Sequence, residues 1–202
     1  MISLQICILG TFEARFSSGE VVSLPTRKVE ALLTYLALAQ ESHHSRDKLA
    51  NLLWSDRSDE QARNSLRQSL SALKKALDGI EPPPLKIERT EVRVTKGSIG
   101  VDALEMERLI EEGTSDAAAQ AAKLYRGEFL DGLVIRDANA QEWMSGERDR
   151  YRRMAVQALD NLLSHQLKSG ELDEAGETML AALVRSQIND DEDAQVIEVP
   201  VD

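Results

Sequence analysis

Arg63, Asn64, Arg67, Gln68, Ser71, Lys74 and Lys75 are spread along the segment SDEQARNSLRQSLSALKKAL, residues 58–77, and their types and spacing suit one kind of chemistry. Guanidinium and ammonium groups pair with phosphate oxygens, whereas Asn, Gln and Arg form paired hydrogen bonds to base edges. That chemistry is recognition of a nucleic acid rather than the making of bonds. From Arg63 to Ala76 the segment has four cations and no carboxylate, in a chain whose formal net charge is −11. The plain alternative is a solvated amphipathic helix, but such a helix tends to interleave Glu with Lys, because opposite charges three or four residues apart stabilise it.

Those side chains need a helix beneath them. Ser58 with Gln61 three residues on fits a capping box, so a helix is expected to start there. Leu66, Leu70, Leu73 and Leu77 follow at steps of four, three and four, which places them on one stripe and makes that stripe the buried one. The polar and basic residues then fall on the other side.

The chain has 202 residues, 42% hydrophobic and 29% charged, enough for one large or two small globular domains. Charge argues for two. Residues 1–97 hold 14 Lys and Arg against 12 Asp and Glu, and residues 98–202 hold 10 against 23, giving halves of +2 and −13. A nucleic-acid-facing part joined to an acidic part that meets proteins would show this asymmetry. The single cysteine, Cys7, has no partner for a disulfide, which agrees with a reducing cytoplasm. MISLQICILG lacks a basic n-region, and the longest apolar run, Ala31 to Ala39, is broken by Thr34, so neither a signal peptide nor a membrane span is expected.

In chain order, Leu4 to Leu9, Phe12 to Phe16 and Val21 to Leu24 are β-rich runs, separated by Gly10 and by Ser17-Ser18-Gly19, and they predict a small antiparallel sheet. Thr26 can cap a helix in which Val29, Leu32, Leu33, Leu36 and Ala37 share a face. Ser45 is expected to cap a second helix, Arg46 to about Trp54, with Trp54 as a core plug rather than a ligand platform. Past Pro82-Pro83-Pro84, LKIERTEVRV alternates as two strands with basic residues at the tip. Sheet, three helices, then a hairpin is the order of a winged helix, whose third helix enters a major groove.

The succession LQICILGTFEARF, RKVEALLTYLALA, SRDKLANLLW and ARNSLRQSLSALKKAL resembles the OmpR/PhoB-type winged helix carried by the Streptomyces antibiotic regulatory protein (SARP) family, over roughly residues 3–96. That family is bacterial. The resemblance implies a recognition surface of Arg63, Asn64, Arg67, Gln68, Ser71, Lys74 and Lys75, with Arg89 and Arg93 on the wing. Ala72 stands where family members often carry Arg, which puts base preference in question.

Residues 98–187 read as helices with little else: Val101 to Ile110, Ala117 to Leu124, then a connector Gly127 to Gly132, a long helix Glu142 to about Leu167 closed by Ser169-Gly170, and Leu172 to about Arg185. Pairs of this kind point to an α-solenoid of the tetratricopeptide (TPR) kind. VDALEMERLI, LYRGEFLDGL, EW, ERDRYRRMAVQALDNL and GELDEA are similar to the bacterial transcriptional activator domain (BTAD) that follows the winged helix in SARP regulators, here in shortened form. The resemblance implies contacts with RNA polymerase or other transcription machinery and a homodimer. Residues 188–202, acidic and without Lys or Arg, are expected to be disordered.

No GxxxxGK[ST], GxGxxG, CxxC, HExxH or GxSxG spacing occurs, so the usual phosphate, dinucleotide, zinc and nucleophile-elbow readings lose their support. His43 and His44 are adjacent and are expected to be a solvated surface pair rather than metal ligands. No catalytic residue, cofactor or metal is expected, and phosphorelay relatives enter by kinship of fold alone. The expectation is therefore an α+β winged helix at residues 1–97 followed by an all-α TPR-like domain at 98–187. By that resemblance it would be a cytoplasmic regulator of the activating kind that binds double-stranded DNA and no membrane. The alternative is a TPR-like interaction adaptor without DNA binding of its own, and an enzyme ranks third.

Overall fold

The computed structural model describes residues 2–39 and 43–193. The chain divides into two compact units, one of Met1–Glu105 with Tyr125–Tyr151, the other of Met106–Leu124 with Arg152–Asp202.

The first unit is mixed α and β. Strands β1 (Leu4–Cys7) and β3 (Glu13–Phe16) pair antiparallel, with Leu4 opposite Phe16, while β7 (Ile99–Val101) lies parallel on the other edge of β1. Two-residue β2 (Gly10–Thr11) pairs parallel with β8 (Phe129–Asp131). Neither β7 nor β8 follows from the sequence reading, which had only helices and a connector there. Three residues are too few to display an alternation, and their partners are distant in the chain. Val21 to Leu24 makes a single bridge, Val21 to Arg15, rather than the third strand expected. Every second residue of β1 points into the core, so Leu4 and Ile6 are fully buried.

Three helices follow: α1 (Arg27–Leu38), α2 (Arg46–Leu53) and α3 (Asp59–Ala76). Thr26 caps α1 through a hydrogen bond accepted from Val29 N at 3.3 Å. Ser45 and Ser58 stand at the N-cap positions of α2 and α3 but make no side-chain cap bond, so the boundaries agree with expectation and the capping chemistry does not. The buried stripes of all three meet. Leu32, Leu33 and Leu36 of α1, Leu49 and Leu53 of α2, and Leu66, Leu70 and Leu73 of α3 are at most 2% exposed. Each such side chain contributes roughly 1.5–3 kcal/mol relative to an exposed one. Trp54 closes this core, with Lys28 Nζ 5.3 Å from its ring centroid.

The expected hairpin is present. Strands β5 (Leu85–Ile87) and β6 (Glu91–Val94) pair antiparallel, and β4 (His44–Ser45) adds a third strand beside β6. This corrects the reading of the histidine pair as solvated. His44 is 3% exposed, its Nε2 sits 3.0 Å from Ala39 O, and its ring meets Tyr35 edge to face at 5.5 Å. His43 stays exposed, 3.3 Å from Glu91.

Two buried carboxylates join the later residues of this unit to its earlier ones. Asp102 opens helix α4 (Asp102–Glu112) and accepts from the backbone N–H groups of Ile8, Leu9 and Ala103 and from Arg126 Nη2. Burial pushes its pKa up, against those hydrogen bonds and the Arg126 charge. Asp137 precedes helix α6 (Ala138–Ser169) and accepts from Ser55 Oγ at 3.0 Å. Burial acts to raise its pKa, but the hydrogen bonds from Ser55, Ala140 and Asp56 prevail and hold it below the usual value.

The second unit is helical. It contains α4 from Met106, α5 (Ser115–Leu124), α6 from Arg152 and α7 (Leu172–Asp193). Small side chains dominate its interior: Ala117, Ala118, Ala121, Ala155, Ala158 and Ala175 are at most 3% exposed, which lets helix backbones approach closely. Gly170 takes φ 82° after α6, the left-handed cap that its position in the sequence requires. Helix α7 runs to Asp193, past its expected end near Arg185, so residues 188–193 are helical; residues 194–202 of the acidic tail lie outside the described residues. No helix among the described residues is long and apolar enough to cross a membrane.

Candidate nucleic-acid interface

Helix α3 sorts its residues as its leucine period requires. Ala62, Leu66, Ser69, Leu70 and Leu73 are buried, while Arg63, Asn64, Arg67, Gln68, Ser71, Lys74 and Lys75 are all exposed. The acidic residues of this helix, Asp59 and Glu60, fall in its first turn and Lys74 and Lys75 in its last, an arrangement that suits the helix dipole.

The seven side chains do not all share one concavity. Arg63, Asn64 and Arg67 line an open groove of about 1050 Å³ together with Arg46, Asp47, Glu60, Arg89 and Thr90. Gln68 lies instead by a smaller depression with Lys28, Trp54 and Arg57, and Lys74 by another with Pro83, Pro84 and Lys86. Arg89 is exposed at the β5–β6 turn and belongs to the groove. Arg93 is half-buried and paired with Glu91, an arrangement that raises the pKa of Arg93 and lowers that of Glu91.

Two contacts tie up the groove's own cations. Arg63 Nε donates to Asp47 Oδ1 at 2.9 Å, and the pKa of Arg63 is raised by that hydrogen bond and charge. Arg67 Nη2 donates to Asn64 Oδ1 at 2.7 Å. A count from Arg63 to Ala76 finds no carboxylate, because it leaves out both the first turn of α3 and the helix before it. Asp47 comes from α2 and Glu60 from the first turn of α3, and the groove gathers both. Arg46 was missed as well; it stands at the start of α2, with Nη1 3.4 Å from Glu88 O. The strand pairing of β4 with β6 brings it there, and no local pattern announces that pairing.

Residues 100–198 match the family described as Bacterial transcriptional activator domain. Among solved structures, the chain is similar to Mycobacterium tuberculosis EmbR in complex with a low affinity phosphopeptide, with a TM-score of 0.58 and 19% identity over 95% of this chain and 57% of that one. The chain thus carries a bacterial transcriptional activator domain in its second half. At 19% identity the likeness to EmbR speaks of the fold, and the chain spans 57% of the EmbR chain's length. No curated protein sequence matches it.

The activator domain begins in β7 and takes in α4 to α7. Its residues Tyr125–Tyr151 belong to the first compact unit. There Trp143 meets Tyr35 edge to face at 5.3 Å and Phe129 at 5.7 Å, and Phe129 stacks on Tyr151 at 5.7 Å. Asn139 Nδ2 also donates to Asn51 O at 3.0 Å, at the side of α2. Part of the activator domain is therefore packed into the same core as the helices that carry the groove.

Proposed function

We propose that this chain is a sequence-specific, DNA-binding transcriptional regulator of the activating kind, working in the cytoplasm. Residues 1–97 act as an OmpR/PhoB-type winged helix, and residues 98–187 act as a TPR-like domain for dimerisation or contact with transcription machinery. Helix α3 enters the major groove with Asn64, Arg67 and Gln68 nearest the bases, while Arg63, Ser71, Lys74 and Lys75 hold phosphates. Arg89 and Arg93 grip the adjacent backbone or minor groove from the β5–β6 hairpin.

The observation that carries this reading is the separation along α3: seven exposed residues able to pair with phosphates or base edges, opposite a seam of buried leucines. The acidic remainder of the chain does not forbid it, because salt screens charges beyond about 8 Å at physiological ionic strength.

The test is a duplex-binding titration of the full chain at two salt concentrations, using fragments selected from genomic DNA and a random duplex. A regulator binds both at low salt, keeps the selected fragment at higher salt, and loses affinity with a log–log slope of about 0.9 per phosphate contact. Absence of any duplex binding at low salt would leave the adaptor reading in its place.

A further inference from the structure

Over residues 172–182, helix α7 exposes more than it buries. Ala175 and Thr178 face inward at 3% and 7% exposure, and Thr178 Oγ1 donates to Gln166 Oε1 of α6 at 2.8 Å. On the outer side, Leu172, Met179 and Leu180 are 70%, 55% and 64% exposed. With Gly176 they recur at steps of four, three and one, so they form one stripe. Three large apolar side chains clustered in this way differ from the scattered exposed leucine of an ordinary surface.

Gly176 sits inside that stripe, and a Cβ built on it would meet nothing within 4 Å. A glycine in mid-helix costs roughly 0.5–1 kcal/mol relative to alanine. Among the described residues no neighbour stands where its Cβ would be. The missing side chain leaves the stripe open between Leu172 and the Met179–Leu180 pair, a notch where a side chain from a facing helix has room.

The charges beside the stripe are of one sign. Asp173 and Glu177 flank it, Glu171 and Glu174 lie close by, and all four are exposed. Over its whole length α7 has seven carboxylates and one cation, Arg185. A second copy placed on this stripe would set carboxylates against carboxylates within a Debye length, where repulsion is least screened.

We propose that the Leu172–Gly176–Met179–Leu180 stripe of α7 is a docking surface for an amphipathic helix of another protein, one with an apolar face and a basic flank. The apolar face covers the three side chains, one of its side chains enters the Gly176 notch, and its lysines or arginines meet Asp173 and Glu177. The proposal concerns α7 alone and does not depend on the DNA-binding reading.

The test uses the full chain and a labelled helical peptide of leucine and lysine, about 18 residues and ~27 Å long, followed by fluorescence anisotropy. Two controls are a shuffled peptide of the same composition and a leucine–glutamate counterpart. The leucine–lysine helix binds and the controls do not. Leu180→Ser and Met179→Ser each weaken binding by about tenfold or more, as loss of a central anchor does. Gly176→Leu blocks it, and Asp173→Lys combined with Glu177→Lys transfers the preference to the leucine–glutamate peptide. Duplex binding by these variants stays at the level of the unmodified chain, which keeps this proposal distinguishable from the one about DNA. Equal binding of the shuffled peptide, no binding of any peptide, or indifference to Leu180→Ser overturns the proposal. So does a dimer, seen by sedimentation, that Leu180→Ser dissolves, since the occupant would then be a second copy.

Discussion

Arg63 of α3 donates through Nε to Oδ1 of Asp47 on α2 at 2.9 Å, so a helix face without a carboxylate of its own beyond its first turn receives one from the helix before it. Both side chains are mostly exposed, and the pair is open to competition from a phosphate. In the proposed interface Arg63 must trade Asp47 for DNA.

Asp47→Asn is therefore expected to tighten binding to selected and random duplexes alike, because the competitor removed makes no sequence-dependent contact. Arg63→Ala in the Asp47→Asn background should cancel that gain. Anisotropy titrations of the two single variants and the double variant check this. Strictly additive effects would mean that Asp47 acts through its general charge and not through Arg63.

Lys74 and Arg67 separate the two roles proposed for α3. Lys74→Ala should weaken all sequences by a similar factor and reduce the log–log salt slope by about 0.9, as loss of one phosphate contact does. Arg67→Ala should narrow the gap between selected and random duplexes by roughly 1–3 kcal/mol, the worth of one good base contact. Identical behaviour of the two variants on both duplexes would contradict the division.

How much of this was legible beforehand depends on the length of the pattern. The leucine seam of α3 repeats over about three turns, and α1, α6 and α7 likewise declare themselves through period and terminal residues such as Thr26 and Gly170. Strands β7 and β8 do not, because Ile99–Val101 and Phe129–Asp131 are defined by partners far away, Leu4 to Ile6 and Gly10 to Thr11. The same limit hid Asp47 and Arg46 from the candidate site, since only the packing of α2 on α3 and the β4–β6 pairing bring them into the groove. The burial of His44 is hidden in the sequence for a related reason. Its neighbours Tyr35 and Ala39 belong to α1 and the turn after it, and a pair of adjacent histidines carries no mark of which one enters a core.

Tyr35 and Trp143 provide a measure of how firmly activator-domain residues are joined to α1. Their rings meet edge to face at 5.3 Å, a geometry worth about 0.5–1.5 kcal/mol beyond the area it buries. Trp143→Leu and Tyr35→Leu should each destabilise the chain, and the pair should couple by that amount in a double-mutant cycle read by urea unfolding. Trp143→Ala should cost about 2–3 kcal/mol, less than a fully buried tryptophan because this one is half-buried. A coupling near zero would show that the two rings touch without stabilising one another.

His44 sets an acid limit on stability. Burial lowers its pKa from 6.5, outweighing the hydrogen bond to Ala39 O, and the nearby Lys48 and His43 act in the same direction as burial. Below pH 6.5 the unfolded chain takes up a proton that the folded chain refuses until a lower pH. The unfolded state binds more protons in that window, so stability falls as pH drops through it and does not vary with His44 above it. Glu91, across the β4–β6 pairing, also lies near His43 and titrates well below this range, its pKa being lowered by Arg93. The contribution of His44 is thus isolated by comparing the unmodified chain with His44→Phe in urea unfolding at several pH values from neutral to pH 5. The difference in unfolding free energy between them should be constant above about pH 6.5 and shift in favour of the variant below it. A difference that stays flat across the whole range would mean that the folded chain accepts the proton as readily as the unfolded one.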